Sequence, residues 1–593
     1  MIRSIVHPFL RVCAAAPWLA AVALACASPQ ALANKLFTVG GDAACSFSDL
    51  QQAIDASDAT DFNSILVARN FTYSGQHLVI DGKIINILGG LEECSGEVYG
   101  APIQITGRSG NSVIEIEGNS QVYLSNLDIS GADLDGSHKG GGIYFGGAGS
   151  LELASVSVHD NRAGYGGGID MSPSGASTLT LISSLIANNV ASGQGGGIRL
   201  EGASVLNADP NTFITGNVAT GQDDVGFGGG IEMVGPATAN INANLNNNTA
   251  DYGGGVAALA SGASDAAQVN LYTVSANVAA LYGNHATATG GGVYLKSSRD
   301  GAIASLCAND FVIDANTAAN GAAIYADSDG GHGSVAYLNS PACNPPAGAV
   351  HCATGPLCNE MADNIASDAG SAIVIIQSNG YLASNYFAAR RNQAGRLVGL
   401  IADTDISGLI LQDCLLADNI LTSNLLWGSG AGDDSVIFVH NCTITHNQLG
   451  AGDPVIYADV TRLEITGSII DQPQQTQSLA FTGGADNLFT QYVLTNDTSS
   501  FVSGPGILAG SPLFVDAASG DYHQQRTSAG VDVAPASISN DTDLDRNIRV
   551  VDLLDIANDF GPMDLGAYEI QTQLPPPSCA VADTIYCNGF EDP

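Results

Sequence analysis

The chain has 593 residues, with 18 Lys+Arg against 58 Asp+Glu, a formal net charge of −40, 13% charged residues, 72 glycines and 45% hydrophobic residues. Such an acidic chain lacks the basic stripe that nucleic acid requires, so nucleic acid is excluded as a partner. Abundant Ile, Val and Leu exclude global disorder, and the length admits several domains or one repeat array.

Residues 1–33 read as a signal peptide. Arg3 and Arg11 supply positive charge, Ala14 to Ala27 form a short apolar region, and Ala31-Leu32-Ala33 has the A-x-A form of a cleavage site before Asn34. Pro17 interrupts the apolar region, and no later segment approaches the roughly 20 apolar residues of a membrane span. The expectation is an exported protein with no transmembrane segment. A lipoprotein reading of Cys26 fits less well, because Ala23-Leu24-Ala25 sets its leucine one place away from the lipobox position.

Residues 34–100 read as an N-terminal cap and the first coils. Ser48-Asp49-Leu50-Gln51 has capping-box form and opens a short amphipathic helix, with Leu50, Ile54 and Phe47 on one side to cover the first coil. Cys45 and Cys94 are placed to tie it down.

Residues 101–504 carry the repeat, aliphatic-x-x-Asn-x-Ala followed by Gly-Gly-Gly-Ile. Its asparagines are Asn161, Asn189, Asn217, Asn248, Asn277, Asn316, Asn364, Asn392, Asn419 and Asn447, spaced by 28, 28, 31, 29, 39, 48, 28, 27 and 28 residues. The two long steps read as insertions. Three places before the asparagines stand Val158, Ile186, Ile214, Leu245, Val274, Ile313, Met361, Ala389, Leu416 and Ile444, a column of inward residues. Strand alternation turns the residues five places before the asparagine inward and those four places before outward, where Leu185 and Phe213 break a polar rule. After the glycines a second strand has Ile169, Ile198, Ile231, Val256, Val293, Ile324 and Ile373 inward, continued two residues on by Met171, Leu200, Met233, Leu295 and Ile375. Apolar residues at helical spacing are absent, as is the leucine-rich frame, so the expectation is a parallel β-solenoid of about 14–16 coils. Stacked asparagine amides would line one turn, and glycines the bend where a Cβ would clash.

Residues 505–573 lose the period and read as a closing segment; 574–593 form a Pro-rich linker and a tail in which Cys579 and Cys587 can close a loop. Ten cysteines remain after the signal peptide. An even number in an exported chain favours disulfides, and without a CxxC pair a zinc site has little support. Cys414 and Cys442, each five places before an asparagine, point inward and stack as a bridge or as two buried thiols. Cys307, Cys343, Cys352 and Cys358 surround the 48-residue step and would staple that insertion, which is also a reasonable recognition loop.

Asn161-Arg-Ala163 with Gly166-Gly-Gly-Ile169, and Asn316-Thr-Ala318 with Gly321-Ala-Ala-Ile324, resemble the repeats of polymorphic outer membrane proteins, a group of bacterial exported right-handed β-helix proteins. The resemblance covers roughly residues 140–460. Ser511-Pro-Leu-Phe-Val515, Gly520-Asp-Tyr522, Asp543-Leu-Asp545 and Asp564-Leu-Gly-Ala-Tyr-Glu569 look like the closing segment of surface β-helix proteins of choice-of-anchor type. Asp583-Thr-Ile-Tyr-Cys587-Asn-Gly-Phe-Glu591 is similar to a C-terminal tag of secreted proteins in xanthomonad-like bacteria. The resemblance implies an all-β fold, a right-handed parallel β-helix with an N-terminal capping helix, on the outside of a bacterial cell. Nothing after residue 460 matches the membrane barrel that ends polymorphic and autotransporter proteins.

Catalysis on such a rod would use outward residues after the glycines: Tyr144, Asp170, Arg199, Glu232, Ala257, Tyr294, Tyr325 and Val374. Asp170 and Glu232 stand two coils apart, about 9.6 Å, near the upper end of the spacing of an inverting glycosidase. Arg199 between them makes an ordinary charge ladder the stronger reading. Tyr294 and Tyr325 are candidates for stacking on sugar. Asp363, Arg391, Asp418 and His446, each one place before an asparagine, form a second alternating ladder, in which His446 oriented by Asp418 is the only basic device. Gly331-His332-Gly333 matches one motif of polygalacturonase-type hydrolases, without the paired aspartates at the right distance. Asp541, Asp543 and Asp545 have calcium-loop spacing, but Arg546 stands where an EF-hand needs glycine and Asp552 where it needs glutamate, leaving a different calcium site or a solvated acidic turn. The expected function is an adhesin-like or structural binding protein, monomeric, whose ligand is a polysaccharide or a host or neighbour cell-surface molecule. The alternative is a polysaccharide lyase or glycoside hydrolase on the same fold.

Overall fold

The computed structural model describes residues 35–571, apart from 97–99, 223–224, 274–278, 330–332, 344–358, 403–406, 431–434, 503 and 539–541. Signal peptide, C-terminal tail, Asn277, Asp541, His332, Cys352, Cys358, Cys579 and Cys587 therefore lie outside the described residues.

Short strands of period two wind into a right-handed parallel β-helix. Successive coils stack in register, so each sheet grows along the rod: one of 28 strands, one of 14 and one of 9, all parallel. The 14-stranded sheet takes one strand from each coil, starting at Leu78–Asp81 and ending at Leu479–Phe481. Ile169, Ile198, Ile231, Val256, Val293 and Ile324 pair coil to coil and have no exposed surface. Burying each such side chain contributes about 1.5–3 kcal/mol, which makes this column a continuous source of cohesion.

The column departs from expectation at one coil. Ile324 pairs with Val374, and Ala326 with Ile376, so Ile373 and Ile375 are not the inward residues. Ala372–Gln377 is buried on both faces over most of its length, and alternation cannot set the register of a strand that has no solvent face.

The asparagines form the ladder, with one substitution. Asn284 stands where Asn277 was expected: Asn248 donates to Asn284, and Asn284 to Asn316. Leu281-Tyr-Gly-Asn284-His-Ala286 satisfies the motif as well as the segment around Asn277 does, and Leu281 replaces Val274 in the inward column. Along the ladder each Nδ2 donates to the Oδ1 of the next coil's asparagine at 2.8–3.1 Å. The same Oδ1 accepts the backbone N–H of the asparagine before it, and the other Nδ2 hydrogen goes to a backbone carbonyl of the previous coil, as from Asn189 to Val158. The carboxamides of the ladder are thereby satisfied. The residue before each ladder asparagine adopts positive φ, from Asp160 at 52° to His446 at 54°, including Ala315 and Arg391. That conformation turns the chain between two sheets, and the repeated amide bonds offset its cost.

At the N-terminal end the helix Leu50–Asp55 buries Leu50, Ala53 and Ile54 in the main core. Its N-cap is Asp49, whose side chain accepts from the Gln52 N–H, so the Ser48 capping box does not form. Disulfides join Cys45 to Cys94, Cys307 to Cys343 and Cys414 to Cys442, with Cα separations of 5.0, 5.5 and 4.5 Å. Cys414 and Cys442 are buried inside the rod. These three disulfides among the described residues fit an oxidising compartment, and among the described residues no helix is long and apolar enough to cross a membrane.

After Ile507–Ala509, the last strand of the parallel sheets, the chain returns along the outer side of the rod, where Phe514–Asp516 and Asp521–Gln524 form a small antiparallel pair. Val533, Ala534, Met563 and Leu565 pack on Ile469 and Leu494, and Tyr522 and Ala567 on Leu415 and Ala417. Arg549, with no exposed surface, holds this segment down: it reaches Asp413 at 2.7 Å and the carbonyls of Gly566 and Ala567. Tyr522 donates to Asp418 at 2.6 Å.

Candidate functional site

The outward column runs through Glu115, Tyr144, Asp170, Arg199, Glu232, Ala257, Tyr294 and Tyr325. It then continues to Ile375, Gly399, Trp427 and Tyr457 in place of Val374. A glycine turn precedes each of the central strands. Gly228 has φ 64°, and a Cβ on Gly229 would lie 2.5 Å from the Gly254 carbonyl, so both need glycine. The bend is tight enough that residues just before it lie beside the outward column after it. Arg199 sits 5.2 Å from the centre of the Tyr165 ring, and Tyr252 5.2 Å from Tyr294.

The polar part of this face is closed. Asp170 and Glu232 have no exposed surface and Arg199 is 8% exposed. Arg199 Nε donates to Glu232 Oε2 at 3.1 Å, and Nη1 reaches Asp170 Oδ2 at 3.5 Å, Ser172 Oγ at 3.1 Å and Glu201 Oε2 at 2.7 Å. Lys139 adds a second cation on Glu201 at 3.1 Å, and Ser172 donates to Asp170. Burial pushes the Glu232 carboxyl up to about 8, although Arg199 opposes it, and burial also raises Asp170. Glu201 goes the other way: burial acts to raise it, but Arg199, Ser172 and Lys139 together hold it near 2. Glu232 Oε1 has no hydrogen-bond partner. A neutral carboxylic acid beside a guanidinium can act as a proton donor, yet without exposed surface it meets no polymer in this conformation.

Tyr294 and Tyr325 stack with ring centres 5.8 Å apart and planes at 24°. Phe227 and Tyr252 extend the run, at 6.0 and 5.2 Å from Tyr294, which is 6% exposed, and Tyr325 donates to Gln377 at 2.7 Å. Further along, Arg396 lies 4.2 Å from the Trp427 ring. Tyr165, Phe227 and Tyr252 each stand immediately before a turn glycine, a regularity visible in the sequence that marks them as flanking this face.

The second ladder separates into local pairs. Arg391 bonds Asp363 at 2.9 Å. Asp418 accepts from Tyr522, while His446 Nδ1 meets Thr445 Oγ1 at 2.9 Å, so Asp418 is not the group that orients His446. In the proposed calcium loop, buried Asp543 accepts the N–H groups of Asn547 and Glu569, at 2.9 and 3.0 Å. Asp545 instead bonds His523 at 2.8 Å. Burial acts to lower His523, but Asp545 and Asp521 outweigh it and raise the imidazole to about 9. Asp543 and Asp545 thus serve separate partners. Among the described residues one set of three comes within metal-ligand distance, Asp42, Cys45 and Cys94, and both of its sulfurs are in a disulfide.

No protein-family model matches the chain, and no curated protein matches it.

Proposed function

We propose that this chain is an exported rod that acts as an adhesin-like or structural binding protein on the cell surface, with a polysaccharide or a cell-surface molecule as ligand. The observation that carries this reading is the pairing of Arg199 with Asp170 and Glu232, which commits the two candidate catalytic acids of the outward column to the protein itself. Three disulfides support export, and the stacked coils make a long, regular surface suited to repeated weak contacts. A second reading, polysaccharide lyase or glycoside hydrolase, draws on Glu232 alone, whose raised carboxyl and unpaired Oε1 are properties of active-site acids.

One experiment separates the two. Purified protein is incubated with acidic and neutral polysaccharides, with and without calcium, and both binding and chain cleavage are followed. Retention without new chain ends is the expected result. Product release that Glu232→Ala abolishes would establish the enzyme instead.

A further inference from the structure

The asparagine ladder stops at one place, and a cleft opens there. Thr445 pairs with Asp471. Continuing that register sets Gln472 against His446 and Pro473 where an eleventh asparagine would stand. Proline has no carboxamide, so Asn447 lacks the acceptor that every earlier ladder asparagine finds for its backbone N–H; its Nδ2 is held by the carbonyls of Leu416 and Thr445. Gln472 is 1% exposed, and its Nε2 has no partner. Asn441 also has an unpaired buried amide, but among the residues with such atoms Gln472 is the one that lines this cleft, where a ligand oxygen could serve its Nε2.

The cleft measures about 600 Å³ and is lined by His446, Gln448, Leu449, Gln472, Pro473 and Gln475, among others. This lies within the range of small-molecule sites. Gln475 Nε2 donates to the Gly450 carbonyl at 3.2 Å, tying its two walls together. His446 is fixed by Thr445 and by the rings of Phe514 and Tyr522 at 6.0 and 5.4 Å. No lysine or arginine lines the cleft, and buried Asp471 adjoins Gln472, so an anion would meet no permanent countercharge. Carboxamides both donate and accept, as sugar hydroxyls do, while Leu449 and Pro473 offer an apolar contact for the C–H face of a ring.

We infer that this cleft binds a neutral saccharide unit. The site lies apart from the outward face of the 14-stranded sheet and does not depend on the function proposed for that face.

The test is titration of the full chain with cellobiose, maltose, lactose and N,N′-diacetylchitobiose, followed by calorimetry and saturation-transfer NMR. At least one disaccharide is expected to bind. Gln448→Ala, on an exposed side chain, and Gln472→Leu should each weaken that binding about tenfold, while Gln121→Ala, an exposed glutamine near the other end of the rod, leaves it unchanged. If Gln472→Leu fails to fold, Gln448→Ala decides. Binding of none of the four sugars, or binding indifferent to both glutamine substitutions, overturns the inference. Binding lost in Tyr325→Ala but kept in both glutamine variants would move the sugar to the outer sheet face, overturning the cleft while sparing the proposed function.

Discussion

Replacing Glu232 by glutamine tests the electrostatics of the outward column. The carboxyl titrates near 8 in the fold against 4.5 for an ordinary glutamate, because burial disfavours its charge more than Arg199 restores it. Between those two values the folded protein holds a proton that the unfolded chain has released. Stability from this group is therefore fully present below pH 4.5 and is lost as pH rises through 8, at about 1.4 kcal/mol per unit. Glutamine cannot ionise and retains a carbonyl oxygen for Arg199 Nε. Relative to the wild type, Glu232→Gln should gain stability steadily with pH, reaching about 4–5 kcal/mol above pH 8. The other buried acids, including Glu569 and Asp564, are present in both proteins and largely cancel in the difference. Urea denaturation followed by circular dichroism between pH 5 and 9 measures it. Curves for the two proteins that run parallel across this range would refute the reasoning.

Five substitutions probe the scaffold. Asn284→Ala removes a side chain that makes four buried hydrogen bonds and should cost about 3–5 kcal/mol; Asn211→Ala, on an exposed side chain, should cost under about 1 kcal/mol in the same denaturation assay. Gly229→Ala places a methyl 2.5 Å from the Gly254 carbonyl, whereas Gly202→Ala, at φ 65°, meets nothing within 4 Å. The first should therefore cost about 3 kcal/mol or more and the second about 1–2 kcal/mol, read as a difference in thermal midpoint. Arg549→Met leaves Asp413 buried without its cation, at about 3–5 kcal/mol; limited proteolysis should then cut within residues 511–571 before the coils.

The coils were legible because two periods coincide in the sequence, alternation along each strand and the recurrence of asparagine from coil to coil. Where one period failed, so did the reading. At residues 274–286 two asparagines fit the motif: Asn277 lies 29 residues after Asn248, close to the 28-residue unit, but Asn284 stands six residues before Gly290 as Asn189 does before Gly195, so the distance to the glycine turn is the better guide where a loop lengthens the coil. At Ala372–Gln377 alternation vanished because both faces are buried. Side-chain pairing across coils was partly visible, since Asp170, Arg199 and Glu232 share a column, but the complete burial of the two acids was not. That burial depends on Tyr165 and its neighbours folding back over the glycine turn, a contact between two strands that no periodicity encodes. The return of residues 511–571 was invisible for the same reason: Arg549 and Asp413 are 136 residues apart.

The end of the rod poses a problem that the sheets resolve by ending at different heights. A solenoid that stopped with a complete coil would expose a flat row of unpaired N–H and C=O groups, a template for end-to-end pairing. Here the 9-stranded sheet stops at Ile420–Leu421, the 14-stranded sheet at Leu479–Phe481 and the longest at Ile507–Ala509. In the longest sheet the strands also shorten toward the end, from ten residues at Arg462–Asp471 to eight at Leu488–Thr495 and three at Ile507–Ala509. Each final strand is thus two or three residues long, too short to template a stable partner strand. The returning segment strengthens this taper by covering the outer side of the last coils, where Leu415 and Ile469 would otherwise form an apolar strip. A monomer is the expected state in multi-angle light scattering across a wide range of protein concentration. Concentration-dependent growth in which particles lengthen without widening would refute the argument, because it would show that the tapered end still recruits another coil.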